Sequence, residues 1–582
     1  MTIVELGEAT SADPIAPAQS GAEALIQLFV SEGVDYLFLC PGTDTAPLQE
    51  ALVALEASGQ RVPKVVPCLY ENVALAAAHG YFQVTGRPQV AVVHVDVGTQ
   101  NLGGNLHNCQ RGHGGVVILA GRAPYTVDGD VPGARSIAIQ WLQDQPDQIG
   151  IVRNYVKWST ELARTDTLHR AVPRAFQMAA SEPAGPVYMM VAREVLMQPM
   201  DGVSLGVSRR TKPLVAPAGD PSVLEEIARW LVDAAAPLVV TGYTGRQAEA
   251  VGGLVALAEL LSLPVADVGG YVSFPTSHRL FVTATPERIA AADVILLLDV
   301  DVPWIPKYAR PSPDARIAHI DIDPIKQSMP MWGFPVDLPV VASTAKALPA
   351  LRSAAEAMAT PERRAFWEAR TPESSTDASH RRRTSTLKVG PSSGTSELES
   401  VAAVIEGAVS DDTLVLDEAV TSSETLRRCM RRDRPGSWLH SGAPGLGWAL
   451  GAAIGAKLAA PSRDVVAVTG DGAFVFGSPI AALWAAQQAN APFLTVILNN
   501  RGYRASQTPV VELFPDGVSV KTDSFPGVRF PTPPDYAALA RSCHAYGEQV
   551  EAVAELAGAL ERGLAATRRG QAAVLDVLLS AI

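Results

Sequence analysis

Short apolar runs alternate along the chain with longer, alanine-rich stretches. Runs such as YLFLC, VAVVHV and GVVILAG are short enough for buried strands, and the stretches between them suit helices. The alternation returns with PLVVTG, VILLLDV and IAHIDID, and again with TLVLDE, DVVAVTGDG, FLTVILNN and AAVLDVLL. Strand–helix–strand repeats predict parallel sheets covered by helices. The expected fold class is therefore α/β, with three doubly wound parallel-sheet domains.

The chain has 582 residues, which is too many for one hydrophobic core, because single cores stop growing near about 250–300 residues. We expect domains over residues 20–205, 215–355 and 397–582. The polar, Ser/Thr/Arg-rich stretch over residues 356–396 is expected to be a surface linker.

Charge and cysteine usage exclude several classes of protein. A net charge of −13 argues against a nucleic-acid binder, which needs a basic face, so the basic runs His380–Arg383 and Arg427–Arg432 are expected to be solvated surface or linker. The five scattered cysteines predict neither a disulfide framework nor a zinc site. The N-terminal stretch lacks the apolar core of a signal peptide, and no apolar run is long enough to span a membrane. We expect a cytoplasmic enzyme.

Two polar motifs follow apolar strands in the third block. GDG, centred on Asp471, follows VVAVT, and the pair NN, ending in Asn500, follows FLTVIL, with a helix expected between them. Ligands of open parallel sheets bind beyond the carboxyl ends of the strands, and helix N-termini favour phosphate. A carboxylate facing phosphate needs a cation, and Mg²⁺ takes such oxygen ligands. Either motif alone could be a turn, but together they predict Mg²⁺ held by Asp471, Asn500 and the carbonyl of Gly502.

The order GDG, helix, NN is similar to the diphosphate–magnesium motif of the thiamine diphosphate-dependent enzymes. Upstream, SGAPGLGWALGAAIGAKLAAPSRDVVAVTGDGAF resembles benzoylformate decarboxylase and acetolactate synthase. The resemblance covers all three blocks and implies a pyrimidine-binding domain, a central Rossmann-like domain and a diphosphate-binding domain. It implies thiamine diphosphate and Mg²⁺ as cofactors. The cofactor-binding residues that it implies are Glu71, Thr421, Gly445, Leu446, Gly470, Asp471, Gly472, Ala473, Asn500 and Tyr503.

Glu71 begins an apolar helix in the first block, within ENVALAAAHGYFQVTG. A glutamate in the first helical turn is commonly only a helix-dipole contact. The family, however, keeps a glutamate before A..HGY...TG that protonates the aminopyrimidine ring of the cofactor, and Glu71 matches it. Leu446 would hold the cofactor bent, although its position also suits a core leucine. The family builds each site from two subunits, which implies a homodimer or homotetramer with Glu71 and Asp471 meeting at the subunit interface.

Three stretches bear on the reaction. CPGTDTAP places Thr43 or Asp44 on a turn where relatives have a polar side chain facing the cofactor. VVHVDVGTQN aligns His94 with the catalytic histidine of benzoylformate decarboxylase, and SFPTSHRLF resembles the stretch of its second histidine, His278 here. A single histidine is more often structural, but the pair favours proton transfer. The predicted catalytic residues are Glu71, His94, His278 and Thr43. The polar residues predicted to line the pocket are Gln100, Gln140 and Gln143.

The implied activity is cleavage of a C–C bond next to a carbonyl, with decarboxylation of a 2-oxo acid as the leading form. An acetolactate synthase-like carboligase and a 2-hydroxyacyl-CoA lyase are alternatives. The aromatic stretch and the arginine that acetolactate synthases use around FAD are not evident, so FAD is not expected. The polar segment after the asparagine pair departs from benzoylformate decarboxylase and does not favour an aromatic substrate. A non-catalytic relative is disfavoured by intact Glu71, Asp471 and Asn500.

Overall fold

The computed structural model describes residues 14–370 and 396–582, so the basic run His380–Arg383 lies outside the described residues. The chain divides into two compact units, Met1–Leu214 and Val215–Ile582. The first unit contains one six-stranded sheet and the second contains two. Every strand pair within these three sheets is parallel. The predicted α/β class with three parallel-sheet domains is confirmed.

The first unit is a sheet with helices on both faces. Its strands are β1 (Ile15–Ala16), β2 (Tyr36–Leu39), β3 (Lys64–Pro67), β4 (Val90–Val93), β5 (Val117–Arg122), β6 (Trp158–Leu162), β7 (Val187–Ala192) and β8 (Val203–Ser204). The sheet order is β3-β2-β4-β5-β7-β6, and β1 pairs separately with β8. Its helices are Gly21–Ser31, Ala46–Ala57, Glu71–Thr85, Val95–Gln100, Gly103–Arg111, Ile139–Leu142, Leu168–Ala180, Arg193–Met197 and Gly206–Arg210. All four residues of β4 are buried, as expected for a strand covered on both faces.

The central domain, in the second unit, has the strand order of a doubly wound nucleotide-binding sheet. Its strands are β9 (Pro237–Thr241), β10 (Val265–Asp267), β11 (Phe281–Val282), β12 (Val294–Leu298), β13 (Arg316–Asp321) and β14 (Leu338–Val341). Their order is β11-β10-β9-β12-β13-β14. Successive strands are added on one side of β9 and then, from β12, on its other side, which makes the boundary between β9 and β12 the switch point of the sheet. Its helices are Pro221–Asp233, Ala248–Leu261, Pro286–Ala291, Thr344–Ala357 and Pro361–Ala369.

The last of these helices corrects the predicted linker, because Pro361–Ala369 belongs to the central domain. Trp367 is 1 % exposed in the core of that domain, and its Nε1 donates a hydrogen bond to the Val232 carbonyl at 2.9 Å. The sequence PERRAFWEA has four charged residues, and its one buried side chain, Trp367, anchors the helix on the domain. The rest of the predicted linker from residue 371 to 395 lies outside the described residues.

The third domain completes the second unit. Its strands are β15 (Leu414–Glu418), β16 (Trp438–His440), β17 (Val465–Gly470), β18 (Leu494–Asn499), β19 (Tyr546–Val550) and β20 (Ala573–Leu578), in the order β16-β15-β17-β18-β20-β19. Its helices are Glu397–Ala408, Ser423–Cys429, Ala449–Ala459, Asp471–Phe476, Pro479–Gln488, Arg504–Leu513, Val518–Lys521, Tyr536–Ser542 and Val553–Arg568. In the described part of the chain, no helix has the length and apolar character needed to cross a bilayer.

Candidate active site

Asp471 and Asn500 lie at one edge of the third sheet. β17 ends at Gly470 and pairs in parallel with β18, which ends at Asn499. Asp471 opens the next helix, and Asn500 comes directly after its strand. Because the carboxyl ends of parallel strands share an edge, the fold places both predicted ligands in the crevice where open sheets bind ligands.

The carboxylate of Asp471 is held by the backbone. The residue is 2 % exposed, its Oδ1 accepts a hydrogen bond from the Gly472 N–H at 2.8 Å, and its Oδ2 accepts one from the Gly502 N–H at 2.9 Å. Burial raises the pKa of Asp471, and these two donors act in the opposite direction. The Tyr503 ring packs against Gly472, where a Cβ would lie 2.2 Å from a ring carbon, so only glycine fits.

Asn500 has an oxygen that the protein does not satisfy. Its Oδ1 is buried and has no hydrogen-bond partner among residues 14–370 and 396–582, which costs about 1–3 kcal/mol. Asn499, one residue earlier, is paired on both sides: its Nδ2 donates to Asp576 at 2.8 Å and its Oδ1 accepts from the Arg501 N–H at 3.1 Å. A carboxylate beside an unpaired amide oxygen is a donor set that fits Mg²⁺, with phosphate and water completing the shell.

Glu418 is a site residue that the sequence reasoning missed. It ends β15, is 6 % exposed, and accepts hydrogen bonds from the Gly447 and Trp448 N–H groups at 2.7 and 2.8 Å and from the Ala449 N–H at 3.0 Å. Burial raises its pKa to about 7. This carboxylate therefore occupies the N-terminus of helix Ala449–Ala459 and fixes the turn that carries the half-buried Leu446.

The other residues predicted to contact the cofactor share this edge, since each lies at or after the carboxyl end of a strand. They are Thr421, Gly445, Leu446, Gly470 and Ala473. Thr421 is exposed, and Val420 before it has φ of +50°. A β-branched residue in the left-handed region is strained, and such strain collects at ligand-binding turns.

Glu71 lies at the corresponding edge of the first sheet. It follows β3 and opens helix Glu71–Thr85. Its Oε2 accepts a hydrogen bond from Asn101 Nδ2 at 3.0 Å, and a Cβ on Gly98 would come within 2.8 Å of its Oε1. The segment after β4 therefore fixes the position of the half-buried glutamate.

His94 and Asp44 form a hydrogen-bonded pair at the same edge. Nδ1 of His94 donates to Oδ1 of Asp44, which is 5 % exposed. The hydrogen bond that His94 donates to Asp44 raises the pKa of His94. Asp44 packs against Gly121, where a Cβ would lie 1.7 Å from Oδ2, so only glycine fits at that position. Val95, directly after the histidine, has φ of +30°, a second strained valine.

A small pocket opens beside this pair. It is lined by Thr43, Asp44, Val95, Arg122, Ala123, Pro124, Gln140, Gln143 and Arg193. The structure thus brings Thr43 beside the His94 pair, together with Gln140 and Gln143 of the predicted lining. Gln100 is exposed and is not among these residues. Arg122 was not predicted.

Three family models match the chain in the order of its domains. They are described as thiamine pyrophosphate enzyme, N-terminal TPP binding domain, central domain and C-terminal TPP binding domain, and they match residues 19–151, 224–351 and 419–577. The chain is a thiamine diphosphate-dependent enzyme. This confirms the family resemblance seen in the sequence, and the two sheet edges described above belong to its two TPP-binding domains.

The enzyme resembles curated decarboxylases and synthases over most of its length. It is 29 % identical to a benzoylformate decarboxylase of Pseudomonas aeruginosa over 86 % of this chain and 89 % of that protein. It is 26 % identical to an acetolactate synthase large subunit of Escherichia coli, covering 96 % and 94 %. A solved 4-hydroxybenzoylformate decarboxylase of Rhodococcus jostii superposes with a TM-score of 0.79 at 23 % identity, covering 97 % and 99 %, and shares the fold.

His278 lies away from the candidate cofactor edge of the enzyme's third domain. It precedes β11, at the amino end of the central strands, and its neighbour Ser277 bonds Asp433, which precedes β16. Nδ1 of His278 accepts from the Leu280 N–H at 3.2 Å, and Nε2 contacts Glu259 at 3.2 Å. Asp471 lies at the carboxyl edge of a different sheet, that of the third domain. The structure does not bring His278 and Asp471 together, so the catalytic role of His278 stays a prediction that these contacts do not support.

Backbone hydrogen bonds join neighbouring strand ends in the enzyme's central domain. At the point between β9 and β12, the carbonyl of Asp299 accepts hydrogen bonds from the Gly242 and Tyr243 N–H groups at 3.2 and 2.8 Å. Tyr243 is buried and donates to Asp321, which also accepts a hydrogen bond from the buried Lys326 at 2.7 Å. The expectation that FAD is not bound stays a prediction.

Proposed function

We propose that the enzyme decarboxylates a 2-oxo acid with thiamine diphosphate and Mg²⁺. The observation that carries the proposal is the unpaired buried oxygen of Asn500 beside the carboxylate of Asp471. Asp471, Asn500 and the Gly502 carbonyl would hold the ion, which would bind the diphosphate. The N-terminus of helix Asp471–Phe476 would add N–H donors to the phosphate.

At the other end of the cofactor, Glu71 would hold a proton on the aminopyrimidine ring. When bound, thiamine diphosphate supplies a nucleophilic carbon that stabilises the carbanion left by loss of CO₂. Asn101 and Gly98 hold the Glu71 carboxyl in place, so that it meets the ring with little reorganisation. Leu446, on the turn fixed by Glu418, would keep the two rings of the cofactor close.

His94 is the proposed proton donor and acceptor for substrate. The Asp44 carboxylate holds Nδ1 protonated, and Gln143 also hydrogen-bonds the ring. Nε2 would be the atom that exchanges a proton with substrate. The hydrogen bond to Asp44 raises the pKa of His94, which favours the protonated imidazole that a general acid needs. Thr43, exposed in the pocket beside it, would donate a hydrogen bond to substrate.

We propose a homodimer or homotetramer in which one subunit supplies Glu71 and the next supplies Asp471. Large apolar side chains are exposed around the cofactor edge of the third domain, among them Phe476 at 54 % and Ile480 at 59 %. Leu69, two residues before Glu71, is 58 % exposed on the first domain. Exposed apolar groups beside both parts of a site support its closure by another subunit. The molar mass of the loaded enzyme in solution tests this.

A panel of 2-oxo acids tests the reaction. Purified protein with thiamine diphosphate and Mg²⁺ is expected to release CO₂ from at least one acid without any second carbonyl compound. Product formed only after adding an acceptor aldehyde or 2-oxo acid would replace decarboxylation with carboligation. Turnover limited to 2-hydroxyacyl-CoA substrates would select the lyase.

A further inference from the structure

The pocket beside His94 carries hydrogen-bond donors on the side of Arg122. Gln140 is 4 % exposed, and its Oε1 accepts hydrogen bonds from the Ser136 and Ile137 N–H groups at 2.7 and 3.4 Å. That oxygen is therefore occupied, and the amide nitrogen of Gln140 makes no hydrogen bond within residues 14–370 and 396–582. The amide nitrogen of Gln140 and the guanidinium of Arg122 are both donors, and two such donors suit a negatively charged ligand group.

Arg122 is held from one side only. Its Nε lies 3.3 Å from Glu161 Oε1, and its guanidinium stacks over the Tyr125 ring at 4.1 Å. Its two terminal NH₂ groups donate no hydrogen bond within the described part of the chain. The second pocket arginine differs, since Arg193 donates to the carbonyls of Gly133 at 3.1 Å and Ala134 at 2.6 Å. Of the two pocket arginines, Arg122 is therefore the one whose terminal NH₂ groups can bind a ligand.

The sheet order places Arg122 on the far side of His94 from the cofactor-activating glutamate. Glu71 follows β3, Thr43 follows β2, His94 follows β4 and Arg122 ends β5, and these strands are neighbours in the order β3-β2-β4-β5. Adjacent strands are about 5 Å apart. A substrate whose carbonyl reacts beside His94 therefore extends toward Arg122 one strand further along.

The reacting carboxylate of a 2-oxo acid is a poor partner for this arginine. Its charge leaves the carboxylate as CO₂ forms, so a strong cation there would stabilise the ground state more than the transition state. A second charged group, distant from the bond that breaks, keeps its charge throughout. Binding that group stabilises the ground state and the transition state equally. It therefore favours substrates that carry the second charged group.

We propose that Arg122, with the amide of Gln140, binds a second carboxylate on the substrate, so that the enzyme acts on 2-oxo dicarboxylic acids. The inference rests on the proposed function and names the substrate class for the same site. Glu161 and Tyr125 orient the guanidinium and are positioning residues for it.

The first test compares 2-oxoglutarate with 2-oxopentanoate, which differ only in the distal carboxylate. In the loaded enzyme, kcat/KM is expected to favour the diacid. Arg122→Met should lower the diacid value about 10- to 100-fold, the range for a lost charge-assisted hydrogen bond, and leave 2-oxopentanoate within about twofold. Arg122→Lys should keep part of the preference. Arg153→Met is the matched control, since Arg153 is 63 % exposed and pairs with Asp147 in the same domain.

A binding test separates this inference from the proposed reaction. Calorimetry with glutarate and pentanoate needs no turnover, and glutarate alone should lose affinity in Arg122→Met. Because Glu161 orients the guanidinium, Glu161→Gln should weaken glutarate binding less than Arg122→Met does and leave pentanoate binding unchanged. An equal loss of affinity for both acids in Arg122→Met would mean a general disturbance of the pocket and would overturn the inference. Equal affinities for the two acids in the unchanged enzyme would overturn it as well, even if CO₂ release is observed. Failure of every acid in the 2-oxo acid panel to release CO₂, with glutarate binding intact and sensitive to Arg122→Met, would overturn decarboxylation but support the subsite.

Discussion

Nδ1 of His94 donates a hydrogen bond to the buried carboxylate of Asp44, which packs against Gly121. The hydrogen bond raises the pKa of His94. We therefore expect Asp44→Asn to lower this pKa, and to move to lower pH whichever limb of the kcat/KM profile reports on His94. Nuclear magnetic resonance titration of the His94 ring checks the pKa directly. An unchanged profile in a folded Asp44→Asn enzyme would remove the pair from the mechanism.

Glu71→Gln should lower turnover by at least about 10²-fold, the lower range for loss of a positioned acid–base group. Binding of the diphosphate should change little, because the residue touches the other end of the cofactor. Glu50→Gln, on the exposed face of helix Ala46–Ala57, is the matched control and should be neutral. Steady-state turnover with measured cofactor affinity separates the two effects. Near-normal turnover in Glu71→Gln is the contrary outcome.

The two neighbouring asparagines should respond in opposite ways. Asn500→Ala removes an unpaired buried oxygen, so the unloaded protein should keep or gain thermal stability while losing Mg²⁺-dependent cofactor affinity. Asn499→Ala breaks the bond to Asp576 and should cost about 1–3 kcal/mol of unfolding free energy. Thermal unfolding without cofactor and calorimetry with thiamine diphosphate and Mg²⁺ measure both. A destabilised Asn500→Ala protein with unchanged affinity would contradict the metal assignment.

Glu418 gives a pH-dependent stability prediction. Its folded-state pKa of about 7 exceeds the ordinary glutamate value of 4.5. The stability that it contributes is therefore fully present below about pH 4.5 and is lost as pH rises through about 7. Glu418→Gln does not titrate, so the melting temperature of the unchanged enzyme should fall relative to that of the variant between pH 5 and 8. A difference that stays constant over this range would show that Glu418 does not titrate there.

The sequence predicted the parts of the fold and site that depend on local order along the chain. Asp471 and Asn500 could be placed because each directly follows an apolar strand, and neighbouring parallel strands end at one edge. Glu418 could not be recognised, because its partners are backbone N–H groups about thirty residues later. The same holds for Arg122 and for the pairing of Asp44 with His94, because only the folded sheet brings these side chains near their partners.

His278 and Trp367 are residues for which the local sequence was misleading. The stretch around His278 resembled a catalytic segment, but the direction of β11 places it at the amino end of the strands. Trp367 lay in a segment whose polar composition predicted a linker, and a single buried indole made that segment part of the domain. Composition averages over a segment, whereas one large side chain can decide where it lies.

The unpaired oxygen of Asn500 also affects the stability of the protein before it binds its cofactor. A buried acceptor without a donor weakens the end of β18 in the vitamin-free chain, and local opening there exposes backbone to proteases. We expect the abundance of this enzyme to follow the supply of vitamin and magnesium, with unloaded chains degraded first.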